Sequence, residues 1–139
     1  MQNEFFDIVE DNKFSYGKIT SYKDLVVWQR SIELVKQIYF ITGSMPDAEK
    51  FGLTSQIRRA AISVSSNIAE GWGLSVTGNY LHHLKISFGS LCEVETQLII
   101  IEELNLIDKN ELKNVKETLL ETSKMLKGLI ISLEKQIKN

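Results

Sequence analysis

The chain has 139 residues, enough for one domain built around one sizeable core. Its hydrophobic fraction of 43% and charged fraction of 24% are those of an ordinary globular protein, and a net charge of −2 excludes bulk electrostatic attraction to nucleic acid or anionic membranes. The single cysteine, Cys92, excludes an intrachain disulfide and a Cys-rich zinc site, as suits a reducing compartment.

Residues 1–20 read as an acidic arm in which Glu4, Asp7, Glu10 and Asp11 outnumber Lys13 and Lys18. A signal peptide needs a basic start followed by an apolar run, and this segment has neither. Phe5, Phe6, Ile8 and Val9 are able to dock on a neighbour, but a mobile terminus is the expectation. Apolar runs such as Leu98–Ile101 are far too short to span a bilayer, so a cytoplasmic protein without membrane contact is expected.

Regular patterning starts near Tyr22, and residues 21–139 predict one all-α domain. The first helix is expected from about Asp24 to Thr42, with Leu25, Trp28, Ile32, Val35, Tyr39 and Thr42 on its buried face at steps of three and four. Gly43, Ser44 and Pro46 end it, glycine by accepting a left-handed cap. The second helix is expected from about Phe51 to Gly71, with Leu53, Ile57, Ala60, Val64 and Ile68 inward and Ala61 beside them.

Thr77 is placed as N-cap of a third helix from Gly78 to about Leu104, whose seam is Leu81, Leu84, Phe88, Leu91, Val94, Leu98 and Ile101. Asn105 and Leu106 turn the chain. Asp108 and Glu111 have the spacing of a capping box at the start of the fourth helix. After them Leu112, Val115, Leu119, Thr122, Leu126, Leu129 and Leu133 repeat every seven residues, the pattern of helices packed near +20°. Long helices joined by short loops predict an up-and-down antiparallel four-helix bundle.

Four-helix bundles often hold di-iron centres, which need a Glu-x-x-His pair on one face. The two histidines are His82 and His83, preceded at that spacing by Asn79 and Tyr80, so the motif is absent. Adjacent histidines also diverge by about 100° on a helix, and a solvated or interface role is expected for both. Glu93, Glu95, Glu102 and Glu103 read as a solvated face. Gly71–Gly78 lacks the Gly-Lys-[Ser/Thr] ending of a phosphate loop, and no Gly-x-Ser-x-Gly elbow occurs. Cys92 reads as a small packed residue. No enzyme, cofactor or metal is expected.

The second helix is the most informative. Gln56, Arg59, Ser63, Ser66 and Glu70 follow one face, and Asn67 falls beside the apolar stripe. One reading is an exposed polar face. The sharper one is a polar seam at a helix–helix or subunit contact, formed by Gln56, Arg58, Arg59, Ser63, Asn67 and Glu70, with Arg58 or Arg59 meeting a carboxylate such as Glu93. Self-association is expected separately. Leu98, Ile99, Ile100 and Ile101 point in four directions, and Leu120, Ile130, Ile131 and Ile137 lie outside the heptad seam, so one core cannot bury them all.

Three stretches carry a resemblance. Tyr22-Lys23-Asp24-Leu25-Val26-Val27-Trp28-Gln29, the run from Gln56 to Gly71, and Gly89-Ser90-Leu91-Cys92-Glu93-Val94-Glu95-Thr96-Gln97-Leu98 are together similar to the bacterial proteins encoded in 23S ribosomal RNA intervening sequences. The resemblance implies a four-helix bundle assembling as a homopentamer, with no enzymatic activity. A related branch includes the accessory protein of diversity-generating retroelements, which binds nucleic acid and a reverse transcriptase; that branch is markedly basic, and this chain is not. The expected partners are therefore copies of the chain itself and a nucleic-acid or ribonucleoprotein partner met through Arg58, Arg59 and the outlying Lys85, or else a protein partner alone.

Overall fold

A computed structural model describes residues 19–74 and 76–138; most of the acidic arm lies outside them. Four helices make up the domain, and the described residues contain no strand: α1 (Val26–Thr42), α2 (Leu53–Gly73), α3 (Thr77–Glu103) and α4 (Lys113–Lys138). Each helix packs on the next and α4 closes back on α1, with α2 against α3 the most extensive pairing. Contacts between α2 and α3 pair rising numbers with falling ones: Gln56 with Gln97, Ser63 with Ser90, and Asn67 with His83. Neighbouring helices are thus antiparallel, and the up-and-down bundle is the observed architecture.

Ile19, 2% exposed, belongs to the core. Ser21 then caps a single turn, Tyr22–Asp24, by accepting from the Lys23 amide. The Asp24 carboxylate accepts from the Thr20 amide, the Thr20 hydroxyl and the Ser21 amide. The Thr20 bonds, the backbone one first, hold this carboxyl below the usual aspartate range. Leu25, fully buried, follows as the residue that starts α1.

The heptad of α4 is buried in full, from Leu112 through Val115, Leu119, Thr122, Leu126 and Leu129 to Leu133. Burying each large aliphatic side chain is worth about 1.5–3 kcal/mol. The stripe on α2 is likewise buried except for Leu53, half-buried at the helix start, and that on α3 except for the half-buried Leu81 and Phe88. Asp108 caps as expected, yet it accepts from Asn110 and caps a short turn, Lys109–Leu112, ahead of α4.

The expected face of α1 is corrected. Its buried residues are Val27, Ser31, Leu34, Ile38, Ile41 and Thr42. Trp28, Ile32 and Val35 are only half-buried, and Tyr39 is 43% exposed. α1 carries two overlapping apolar stripes, and the one interrupted by Ser31 faces the core. Ser31 fits there because its hydroxyl donates to the Trp28 carbonyl at 2.6 Å. Two caps also differ. Gly43 ends α1 in right-handed geometry, while Asn105 (φ 53°) takes the left-handed turn. Thr77 is the first residue of α3, whose N-cap is Val76.

Candidate functional surfaces

Among the described residues no constellation for catalysis or metal binding forms. Among the described residues no three His, Cys, Asp or Glu side chains converge on a metal position. Cys92 is exposed, contrary to the packed role expected of it. Glu102 departs from the solvated reading. It is half-buried and takes Lys116 and Lys109 as partners, the latter at 3.8 Å. The Lys116 hydrogen bond, ahead of its charge, holds the Glu102 carboxyl below the usual glutamate range. A groove of about 570 Å³ between α1 and the start of α4 has Phe40, Ile41 and Val115 at its apolar part and Gln37, Asn110 and Asn114 around it. It contains no nucleophile paired with a base.

A polar seam lies between α2 and α3. The Gln97 side-chain amide donates to Gln56 Oε1 and Glu93 Oε1, both at 3.4 Å. The Ser90 hydroxyl donates to Ser63 Oγ at 2.8 Å. Asn67 Nδ2 donates to the Ser63 carbonyl at 2.9 Å and its hydroxyl at 3.1 Å, while Asn67 Oδ1 meets His83 Nδ1 at 3.1 Å. Beneath them the buried Ser87 hydroxyl donates to the Val64 carbonyl at 2.9 Å. Small residues and satisfied hydroxyls let the helices approach closely. A Cβ built on Gly71 would lie 2.8 Å from His83 Cβ and 3.1 Å from Tyr80 Cδ1.

This geometry brings together Gln56, Ser63, Asn67 and Glu93. It separates the other three residues assigned to the seam. Arg58 turns to α1, where its Nε donates to Thr42 Oγ1 at 2.9 Å and its guanidinium covers the Tyr39 ring at 4.4 Å. The expected pairing with Glu93 therefore does not form, because Arg58 projects from the opposite flank of α2. Arg59 and Glu70 are exposed and form no ion pair with the described residues. Apart from Glu93, the α3 half of the seam was not foreseen. Its signal is legible afterwards, since His83, Ser87, Ser90 and Gln97 are polar positions at steps of four, three and seven along an apolar helix.

Apolar side chains remain uncovered on two sides. On the α1–α2 side, Tyr39 lies under Arg58. Val35 stands one turn before Tyr39, and Ile62, 41% exposed, one turn after Arg58. On the α3–α4 side, Glu102 meets Lys116. Ile99 and Leu120, one turn away on each helix, are 51% and 57% exposed. Further along that groove lie Phe88, Ile130 and Ile131. Because the helices follow one another around the bundle, these two sides are opposite.

No helix of the described residues is long and apolar enough to cross a membrane. No curated protein matches the sequence. The fold is similar to that of a crystallised protein of unknown function from the S23 ribosomal protein family of Bacteroides thetaiotaomicron. The two agree with a TM-score of 0.70 at 24% identity, over 78% of this chain and 97% of that one. That likeness establishes the fold. The family described as 23S rRNA-intervening sequence protein matches residues 23–128, a span that takes in all three motif stretches but for Tyr22. The chain belongs to the family of 23S rRNA-intervening sequence proteins.

Proposed function

We propose that this chain is a non-enzymatic subunit of a homo-oligomer, a pentameric ring, that acts as an accessory factor through its outer surfaces. The observation that carries this reading is the pair of uncovered apolar sides on opposite flanks of one bundle, with Ile62 on one and Ile99 and Leu120 on the other. Opposite, non-identical patches join head to tail, and such contacts generate rings when the rotation closes. The ring size of five comes from the family resemblance.

Light scattering at micromolar concentration tests the assembly. The wild type should have a multiple of the 15.9 kDa chain mass. Ile62→Glu and Ile99→Glu should each dissociate it, since every head-to-tail contact needs both sides. A monomeric wild type would sink the reading.

Association with RNA is a second reading, supported by the family description and by the exposed Arg59. Arg58 supports it less, being held against Tyr39 and Thr42. Retardation of ribosomal RNA fragments that falls steeply with salt, and weakens in Arg59→Ala, is the expected result. No retardation at low salt would leave a purely protein-binding scaffold.

A further inference from the structure

The lower half of the α3–α4 groove combines an apolar cleft with a basic rim. It is a cleft of about 220 Å³ whose apolar lining is Phe88, Ile130 and Ile131. That volume is below the ~300–1,000 Å³ of small-molecule sites and suits an inserted side chain. Lys85 and Lys127 rim it, and Lys124 and Lys135 lie on the same side of α4 as Ile131 by spacings of seven and four. None of these four lysines forms an ion pair with the described residues. Glu134 and, along α3, Glu95 are the acidic groups on this side, so the rim is net positive.

We propose that residues 4–11 of the same chain fold back onto this groove and seat an aromatic side chain between Phe88 and Ile131. The segment reads Glu-Phe-Phe-Asp-Ile-Val-Glu-Asp, four carboxylates interleaved with four apolar residues and no cation. Its charge complements the lysine rim, and Phe5 or Phe6 complements the cleft. The chain emerges at the correct end. Ile19 enters the core where α1 starts and α2 ends, the end at which Lys85 on α3 and Glu134 on α4 also lie. Nine residues lie between Val9 and Ile19, and the ten Cα-to-Cα steps reach about 33–36 Å when extended, against a bundle width of roughly 20 Å. The α1–α4 groove is the weaker match, since Glu33 and Glu111 line it at the opposite end. The proposal does not depend on the oligomer.

Cys92, exposed one turn beyond Phe88, allows the full chain to be tested with its own thiol. A nitroxide on Cys92 should broaden the amide signals of Phe5, Phe6, Ile8 and Val9 in the 15N-labelled chain. Lys85→Glu with Lys127→Glu, both exposed positions, should remove that broadening. If nine chains in ten are docked, chymotryptic cleavage after Phe5 and Phe6 should accelerate about tenfold in the double variant. Three outcomes would overturn the proposal: no broadening, broadening that survives the charge reversal, or broadening seen only when spin-labelled and 15N-labelled chains are mixed. The last would place the segment on another copy.

Discussion

Substituting Gly71 by alanine tests the close approach of α2 and α3. In an open helix the change stabilises by up to about 1 kcal/mol, because alanine loses less backbone entropy. Here the added methyl would stand 2.8 Å from His83 Cβ and 3.3 Å from the Tyr80 carbonyl oxygen. Neither is the free end of a flexible side chain, so α3 itself must shift. Overpacking of this kind costs about 1–3 kcal/mol, and contact with near-backbone atoms puts it in the upper part of that range. The net expectation is a loss of roughly 1–2 kcal/mol after the propensity gain is subtracted. Gly128→Ala on α4 is the control, since nothing lies within 4 Å of its added Cβ; it should stabilise by about 0.5–1 kcal/mol. Urea unfolding at one fixed protein concentration measures both, and the Asn67 side-chain amide signals should shift only in Gly71→Ala. Equal stabilisation by the two substitutions would refute the reasoning, because it would mean that the helices have room to spare at Gly71.

Ser87→Ala removes a buried hydroxyl that donates to a carbonyl of the facing helix and should cost about 0.5–1.5 kcal/mol in the same urea assay. Leu126→Ala opens a cavity in the fully buried heptad of α4 and should cost about 2–5 kcal/mol. The Glu102 carboxyl is held low by Lys116, so its contribution to stability is complete above the ordinary glutamate value of 4.5 and is lost as pH falls through the lower folded value. Carbon-13 titration of that carboxyl should therefore show a midpoint below 4.5, and Lys116→Met should raise it.

The residues differ in how much of this was legible. α4 was readable because its heptad has a single apolar stripe, leaving no choice of face. α1 was not, since Trp28, Ile32, Val35 and Tyr39 form as regular a stripe as Val27, Leu34, Ile38 and Ile41. Only tertiary packing decides between them, and it places the serine-broken stripe inside. The seam was half legible. Polar spacing on α2 identified Ser63 and Asn67, but Arg58 follows Gln56 by only two residues and so leaves on another flank. Cys92 was misplaced because a small residue within an apolar helix fits either a buried or an exposed position by composition alone.

The tight fit of α2 on α3 also bears on the order of folding. Only residues 74–76 separate these two helices, while ten residues separate α1 from α2 around Pro46 and the Asp47–Glu49 turn. Closing the shorter loop costs the least entropy, so the α2–α3 hairpin is the pairing the chain can form first, with α1 and α4 docking on it afterwards. Gly71→Ala should then act mainly by slowing folding, and Leu126→Ala on the late-docking α4 mainly by speeding unfolding. The same small side chains that define the seam would set the rate at which the bundle first takes shape.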